Sequence, residues 1–149
     1  MTEPGASRCV FCGIANGLEP ASVVYDDDLV MAFMDTNPVT TGHVLIIPKL
    51  HHPSLSSVPA ATGSRVFVAA QAVAAAIRRS GLRCAGINLF VADGQAAFQE
   101  VFHFHLHVFP RFAGDSFRIQ ADWSVHPMRE ELDRTAELIR VAMNDVGDR

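Results

Sequence analysis

The chain contains 149 residues, of which 49% are hydrophobic, so it can bury one sizeable core as a single domain. The formal net charge is −4 and the 12 basic residues are scattered, which argues against a surface that binds nucleic acid. No stretch approaches 18 consecutive apolar residues and the first eight residues do not resemble a secretion signal, so we expect a soluble cytoplasmic protein that does not contact a membrane.

The first elements predicted along the chain are three strands. Apolar residues 23–25 and 29–34 flank the acidic triplet 26–28, a pattern typical of a β-hairpin. Residues 43–47 predict a third strand, ended by a proline.

A helix is predicted over residues 59–79, where the hydrophobic period changes to three to four residues. Pro59 suits its first turn and Gly81 suits its C-terminal stop. The apolar face would carry Val66, Ala69, Ala70, Val73 and Ile77.

The second half of the chain predicts two more strands, at residues 87–91 and 101–109, with a turn-rich loop at 92–96. A final helix begins near Pro127, and its apolar face would carry Met128, Leu132, Ile139 and Met143. Strands in runs with few helices between them indicate an α+β fold with a mostly antiparallel sheet. A small sheet with an uncovered edge favours dimerisation.

Three histidines alternate with apolar residues in the predicted strand 101–109. His103, His105 and His107 would project from one face, about 7 Å apart at ~3.3 Å per residue. The opposite face would be apolar and pack on a helix, through Phe102, Phe104, Leu106 and Val108. A rigid row of imidazoles on an apolar backing favours a functional site. The alternative interpretations are a pH-sensitive surface or an adventitious metal-binding patch.

Residues 103–109 (HFHLHVF) resemble the signature of the histidine triad (HIT) family, in which three histidines alternate with hydrophobic residues. Gln99, four residues before the first histidine, fits the same pattern. Residues 35–49 (DTNPVTTGHVLIIPK) are similar to the second conserved block of the family, and Cys9-x-x-Cys12 is similar to its zinc-containing bacterial branch. The resemblance extends from about residue 9 to residue 115.

The resemblance implies a HIT-like α+β fold with a sheet of about five strands and two main helices. Residues 9–149 would form a single domain, with the family core in 9–115 and a C-terminal extension with a helix in 116–149. The polar residues 1–8 are expected to be loose. The resemblance also implies a homodimer whose two sheets join edge to edge.

The activity implied by the resemblance is nucleotidyl hydrolysis of purine nucleoside phosphoramidates or related adenylyl conjugates, through a covalent nucleotidyl-histidine that yields a nucleoside monophosphate. His105 would be the nucleophile, with its tautomer fixed by a hydrogen bond from one ring nitrogen to a backbone carbonyl. His107 would contact the phosphate oxygens, and Gln99 would donate near the scissile bond. One alternative is a dinucleoside polyphosphate hydrolase or phosphorylase. Another, of a different class, is a zinc-stabilised nucleotide-binding regulator with little turnover.

The nucleotide-binding residues implied by the resemblance are Asp35, Phe11, Ile14 and Phe33. Asp35 would bind the ribose hydroxyls, although an aspartate before Asn-Pro also commonly closes an Asx turn. The three apolar residues would line the base pocket, or they are ordinary core.

Three positions depart from the common family pattern. Ala92 stands where many relatives have asparagine, Phe98 replaces a frequent glycine, and Glu100 replaces a small hydroxyl residue. These changes lie beside the leaving-group side of the site, so the leaving group stays open. Strand parity predicts that Glu100 points with Phe102, away from the histidine row.

A Cys-x-x-Cys pair is a moderate zinc signal, and two histidines can complete a tetrahedron. The resemblance implies structural zinc bound by Cys9, Cys12, His51 and His103, with His52 as the alternative to His51. The other interpretation is a pair of reduced thiols, and Cys84 is expected to be a small buried residue.

Overall fold

A computed structural model describes residues 9–146 of the chain. The predicted loose segment 1–8 lies outside the described residues. The structure divides into one compact unit that ends at Phe117 and a second that begins at Arg118. The single-domain organisation over residues 9–149 stays a prediction.

The first unit is built on a five-stranded antiparallel sheet with the spatial order β1-β2-β3-β5-β4. The strands are β1 (Val23–Asp26), β2 (Val30–Met34), β3 (Val44–Pro48), β4 (Gly86–Phe90) and β5 (Leu106–Arg111). The prediction of an α+β fold with about five mostly antiparallel strands is therefore confirmed.

The described residues contain three α-helices, which are α1 (Val10–Ala15) and α2 (Ala60–Arg79) in the first unit and α3 (Arg129–Asn144) in the second. Two short 3-10 turns cover Leu55–Ser57 and Gln95–Ala97. The predicted apolar face of α2 is buried as expected and packs on the sheet. Pro59 occupies the position immediately before the first residue of α2, and Gly81 follows the end of the helix with a φ of +84°.

Helix α2 is long and apolar enough to cross a membrane by composition alone. Its buried stripe packs against side chains of β3 and β5, including Ile46 and Val108. Burial of each large aliphatic side chain contributes about 1.5–3 kcal/mol. This packing is that of a core helix.

The central strands β2 and β3 are buried on both faces. One face packs against α2. On the other face a second cluster gathers under the short helix α1, formed by Phe11, Met31, Phe33, Leu45 and Ile47. Since successive strand residues point to opposite faces, the uninterrupted apolar runs of β2 and β3 serve both layers.

The approach to β5 differs from the prediction, because the strand begins at Leu106 and residues 101–105 are irregular. The Phe104 N–H donates to the His52 carbonyl instead of to a neighbouring strand (2.6 Å). Phe104 is buried against α2 as expected, but Phe102 is 52% exposed, so its predicted place in the apolar backing was wrong. Period-two alternation describes the side chains only where the ladder exists.

Gly42 precedes β3 at a position where only glycine fits well. Its φ of +98° belongs to the left-handed half of conformational space. A Cβ there would lie 3.0 Å from Leu82 Cδ1 and 3.2 Å from Pro110 Cγ. The chain therefore turns tightly against β5 immediately before His43.

The second unit contains α3, which begins at Arg129, two residues after the predicted start. The Met128 N–H donates to the Glu131 carboxylate (3.1 Å), which caps the first turn. The apolar residues of the predicted face, Met128, Leu132, Ile139 and Met143, are all exposed.

Candidate active site and metal cluster

A cavity of about 510 Å³ opens on the face of the sheet that carries α1. Side chains from the helix, from β2 and from the irregular segment before β5 meet there. Residues that line it include Phe11, Ile14, Glu19, Phe33, Asp35, Asn37, His43, Phe98, Glu100, Val101, His105 and His107.

His105 lies buried in this cavity with one ring nitrogen already bonded. Its Nδ1 is 2.7 Å from the His103 carbonyl oxygen, which can only accept, so Nδ1 carries the proton. The other ring nitrogen, Nε2, therefore keeps its lone pair in the neutral ring. Phe11 packs edge-on against the imidazole, with 5.2 Å between ring centroids. The ring is held in one orientation, with one nitrogen available to attack an electrophile.

His43 and His107 form a second, ordered pair of imidazoles. The Val39 N–H donates to His43 Nδ1 (3.1 Å), so His43 must carry its proton on Nε2 when neutral. That Nε2 lies 2.9 Å from His107 Nδ1, which accepts and leaves the His107 proton on its own Nε2. This sequence of hydrogen bonds makes His107 a donor to whatever lies beyond its Nε2, such as a phosphoryl oxygen.

The environment keeps this pair neutral near pH 7. Burial lowers the pKa of His107 to about 4, with further lowering by His105 and His43. Burial also lowers the pKa of His43, against an opposing effect of Asp35 and with the help of His105. A neutral His107 is a hydrogen-bond donor without a formal charge.

His43 was not assigned a role from the sequence. It directly precedes β3, is 2% exposed and contacts His107. A polar residue at the start of an apolar strand in the block 35–49 was the available signal, because a buried histidine needs partners on both nitrogens.

Asp35 closes an Asx turn and also lines the cavity. Its Oδ1 accepts from the Asn37 N–H (2.8 Å), which is an Asx turn. Its Oδ2 lies 3.6 Å from His43 Nε2, and the residue lines the cavity. The turn therefore fixes the carboxylate at the cavity wall, and the ribose-binding role stays a prediction.

The residues predicted to line the base pocket belong both to the core and to the cavity wall. Phe11 and Phe33 are buried in the second core cluster, where their rings meet edge to face at 5.6 Å. With Ile14, which is half-buried, they also line the cavity. Core packing and an apolar pocket wall are compatible here.

Gln99 is buried and does not line the cavity. Its amide nitrogen donates to the carbonyls of Pro53 (2.8 Å) and Val101 (3.1 Å), and its oxygen accepts from the Gly94 N–H (2.8 Å). Both N–H groups are used, so the side chain braces three loops in this structure. Donation by Gln99 to a scissile bond stays a prediction.

The expectation that Glu100 points away from the histidine row was wrong. Glu100 lies before the ladder begins, where strand parity does not apply, and it lines the cavity together with His105 and His107. Phe98 lines the same cavity with a φ of +66°, in the left-handed region. The frequent glycine of the family pattern fits that backbone conformation.

A cluster of cysteine and histidine side chains lies beside the cavity and contains the predicted metal ligands. The Sγ atoms of Cys9 and Cys12 and the Nδ1 atoms of His51 and His103 lie within 4.8 Å of one another. The Sγ–Nδ1 distances are 3.4 Å from Cys9 to His103, 3.5 Å from Cys12 to His103 and 3.3 Å from Cys12 to His51. Zinc bonds of ~2.3 Å to sulfur and ~2.0 Å to nitrogen at tetrahedral angles place S and N about 3.5 Å apart. The four residues therefore fit a tetrahedral zinc ion.

The surroundings of the cluster orient its histidines. His103 Nε2 contacts the Pro48 carbonyl (2.8 Å), which leaves Nδ1 facing the thiols, and the His51 Nδ1 faces Cys12. His52 is not among the four clustered ligands, and its backbone carbonyl accepts from the Phe104 N–H. Without a metal, burial and then Cys9 raise the pKa of the Cys12 thiol to about 11. Cys84 is half-buried against the core between α2 and the sheet.

Comparison with known proteins gives a family and a fold. A family model described as HIT domain matches residues 16–114. The chain is 38% identical over 132 residues to "Adenylylsulfatase HINT3" of Arabidopsis thaliana, with 86% of this chain and 64% of that protein covered.

Solved structures give the same result. A HIT family protein from Bacillus anthracis superposes with a TM-score of 0.82 at 37% identity, over 91% of this chain and 96% of the other. A Zn-bound histidine triad family protein from Mycobacterium smegmatis gives a TM-score of 0.73 at 39% identity, over 95% of this chain and 99% of the other. The predicted HIT-like fold is confirmed.

Proposed function

The chain belongs to the HIT family, and from this premise we propose that it is a nucleotidyl hydrolase that releases a nucleoside monophosphate from purine nucleoside phosphoramidates or related adenylyl conjugates. The observation that carries the proposal is the geometry of His105. A buried imidazole with Nδ1 bonded to the His103 carbonyl presents Nε2 to a cavity large enough for a nucleotide.

The reaction follows from these positions. The Nε2 lone pair of His105 attacks phosphorus, an N–P bond forms, and the bond from phosphorus to the leaving group breaks with its electron pair on the leaving atom. An amine leaving group takes up a proton from solvent. Water then attacks the same phosphorus and gives up a proton, the N–P bond to His105 breaks, and the nucleoside monophosphate departs.

The other residues of the cavity bind and orient in this mechanism. The His107 Nε2–H donates to a phosphoryl oxygen as charge develops, and His43 holds its tautomer. Asp35 accepts from the ribose hydroxyls, and Phe11, Ile14 and Phe33 contact the base.

The polyphosphate alternative has less support in the cavity. Among the described residues, no lysine or arginine lines it, and its formal charges are the carboxylates of Glu19, Asp35 and Glu100. A polyphosphate leaving group carries several negative charges and is bound most strongly by cationic side chains. The Arabidopsis relative is named for adenylyl sulfate, which makes adenylyl conjugates the better-supported class.

We also propose that Cys9, Cys12, His51 and His103 hold a structural zinc ion. The tetrahedral fit of their ligand atoms and the Zn-bound relative from Mycobacterium smegmatis support this. Four protein ligands leave no coordination position for water, so zinc would supply rigidity and not Lewis-acid chemistry. The His103 carbonyl that orients His105 belongs to one of these ligands.

The proposed nucleophile is tested by substitution. Wild type and His105→Ala are incubated with adenosine 5′-phosphoramidate, adenosine 5′-phosphosulfate or diadenosine tetraphosphate, with and without inorganic phosphate, and the products are separated by chromatography. Radiolabelled adenylyl substrate, quenched with the protein, reports the covalent adduct. We expect AMP from the phosphoramidate and loss of both turnover and label in His105→Ala, because no other imidazole has this geometry among the described residues.

The control is His126→Ala, an exposed histidine of the second unit, which should keep full labelling. An adduct that persists in His105→Ala would overturn the nucleophile. Measurable nucleotide affinity with turnover that does not depend on His105 would support the regulator instead. Phosphate-dependent cleavage of the tetraphosphate alone would support the polyphosphate class.

A further inference from the structure

The segment that carries Phe98 and Glu100 is held rigidly between them by Gln99. The Gln99 N–H donates to the Gly94 carbonyl (3.1 Å), and the Gly94 N–H donates back to the Gln99 side-chain oxygen (2.8 Å). The Gln99 amide also donates to Pro53 and Val101. A buried residue with three side-chain hydrogen bonds fixes both of its neighbours at the cavity wall.

Phe98 lines the cavity with an exposed aromatic ring and a strained backbone conformation. It is 84% exposed, and its φ of +66° is a conformation that a phenylalanine rarely adopts. Strain of this kind persists only when the surroundings enforce it, and it concentrates at sites that bind ligands. The exposed ring therefore lines the cavity, where a bound ligand can cover it.

Glu100 adds a carboxylate to the same wall. It is exposed, lines the cavity, and comes from the segment that leads to His105. Of the other two cavity carboxylates, Glu19 and Asp35, Asp35 lies beside His43 and is tied into its Asx turn. Glu100 is thus available for the part of the substrate that lies towards solvent.

In an in-line displacement the leaving group lies opposite the attacking nucleophile, which identifies the part of the substrate near Glu100. His105 is buried, whereas Phe98 and Glu100 are exposed, so in-line attack by His105 places the leaving group on the far side of phosphorus, towards the exposed side of the cavity. An aromatic face and a carboxylate side by side bind an ammonium group, by cation–π attraction and by ion pairing. His43 and His107, with lowered pKa values, supply no positive charge to oppose it.

We propose that Phe98 and Glu100 form a leaving-group subsite that selects a leaving group bearing a positively charged amine. The inference rests on the proposed function and names the class of its substrate: nucleoside monophosphate joined to a molecule with an ammonium group a few atoms beyond the scissile bond. An anionic leaving group meets the Glu100 carboxylate, and a neutral one gains neither interaction.

Three adenosine 5′-phosphoramidates of matched length test this selection. Their amines are 1,3-diaminopropane, propylamine and β-alanine, which each contain three carbons and end in an ammonium, a methyl group or a carboxylate. In wild type, kcat/KM should fall in that order, with the ammonium substrate about tenfold above the carboxylate substrate, as two exposed charge interactions and one cation–π contact predict.

Two variants separate the contributions. Glu100→Gln should reduce the kcat/KM ratio of the ammonium substrate to the carboxylate substrate to about threefold or less. Phe98→Leu keeps an apolar side chain without a π face, and it should lower the ammonium rate about threefold relative to propylamine. Glu130→Gln in the second unit removes a carboxylate elsewhere and should reproduce the wild-type ratios.

Equal kcat/KM for the three substrates in wild type, or an unchanged ratio in a folded Glu100→Gln protein, overturns the subsite while the proposed function stands. Failure of wild type to cleave any of the three overturns the proposed function, and this inference with it. Melting temperatures of all variants confirm that they are folded.

Discussion

The side chain whose protonation the fold controls most clearly is His107. It accepts from His43 through Nδ1, and burial holds its pKa near 4. Protonation would place a second proton on Nδ1, against the donor already there, and would add charge beside His105. The neutral form is thus required both by the fold and by the donor role proposed for Nε2.

This arrangement predicts an acid sensitivity of stability. The unfolded chain binds a proton at His107 near pH 6.5, whereas the folded protein does so only near pH 4. Since the unfolded state binds more protons between these values, the free energy of unfolding falls as pH falls from about 6.5 to 4. For His107 alone we expect a loss of about 1–2 kcal/mol between pH 7 and pH 5.

Urea unfolding of wild type and His107→Asn at pH 7 and pH 5 measures this loss. Asparagine keeps a polar group near Nδ1 but does not titrate in this range, so the variant should lose less stability on acidification. Equal losses in the two proteins would show that His107 is not the group responsible.

At the scale of secondary structure, α1 is a short helix with few stabilising interactions within itself. It has six residues, too few for a stable isolated helix, and Phe11 is its one buried residue. Cys9 caps it and Cys12 lies within it, so both proposed thiol ligands belong to this turn. A zinc ion would join α1 to His51 and His103. It would thereby fix the position of Phe11, which lines the cavity.

Removal of the thiols should therefore release α1. Cys9→Ser/Cys12→Ser should contain no zinc by elemental analysis, against one ion per chain in wild type, and should melt several degrees lower, because structural zinc contributes folding free energy. Cys84→Ser is the matched control, since this half-buried cysteine is not part of the cluster. Zinc-free wild type with the same melting temperature as the double variant would contradict the proposed site.

The elements themselves show how far sequence reasoning reaches. Helix α2 could be predicted with its buried face, because a 20-residue amphipathic period is a strong local signal. The start of β5 could not, because Phe104 bonds to His52, a partner about fifty residues away that alternation cannot reveal. Because β5 begins only at Leu106, strand alternation also gave the wrong direction for the Glu100 side chain. In the site, the histidine spacing predicted His105 and His107 as candidates, and both line the cavity, whereas the contact of His43 with His107 depends on a partner 64 residues away in the sequence.

At the scale of the whole molecule, the sheet of the first unit has two edges that differ in quality. At one edge, β1 is four residues long and has a register irregularity between Val23 and Tyr25, which disfavours pairing with another strand. At the other edge, β4 is a regular five-residue strand with Leu89 and Phe90 41% and 44% exposed. We propose that β4 pairs with β4 of a second copy, which would satisfy the open edge and join the two sheets.

Light scattering of two matched variants tests this choice of edge. Leu89→Arg places a charge on β4 and should shift the protein from a dimer towards the 16.2 kDa monomer at micromolar concentration, because a buried unpaired charge opposes association. Val24→Arg places the same charge on β1 and should leave the dimer intact. Leu89 is preferred to Phe90, whose ring lies 5.8 Å from that of His107, since a change there would also disturb the site. A monomeric wild type, or dissociation caused by Val24→Arg alone, would contradict pairing through β4.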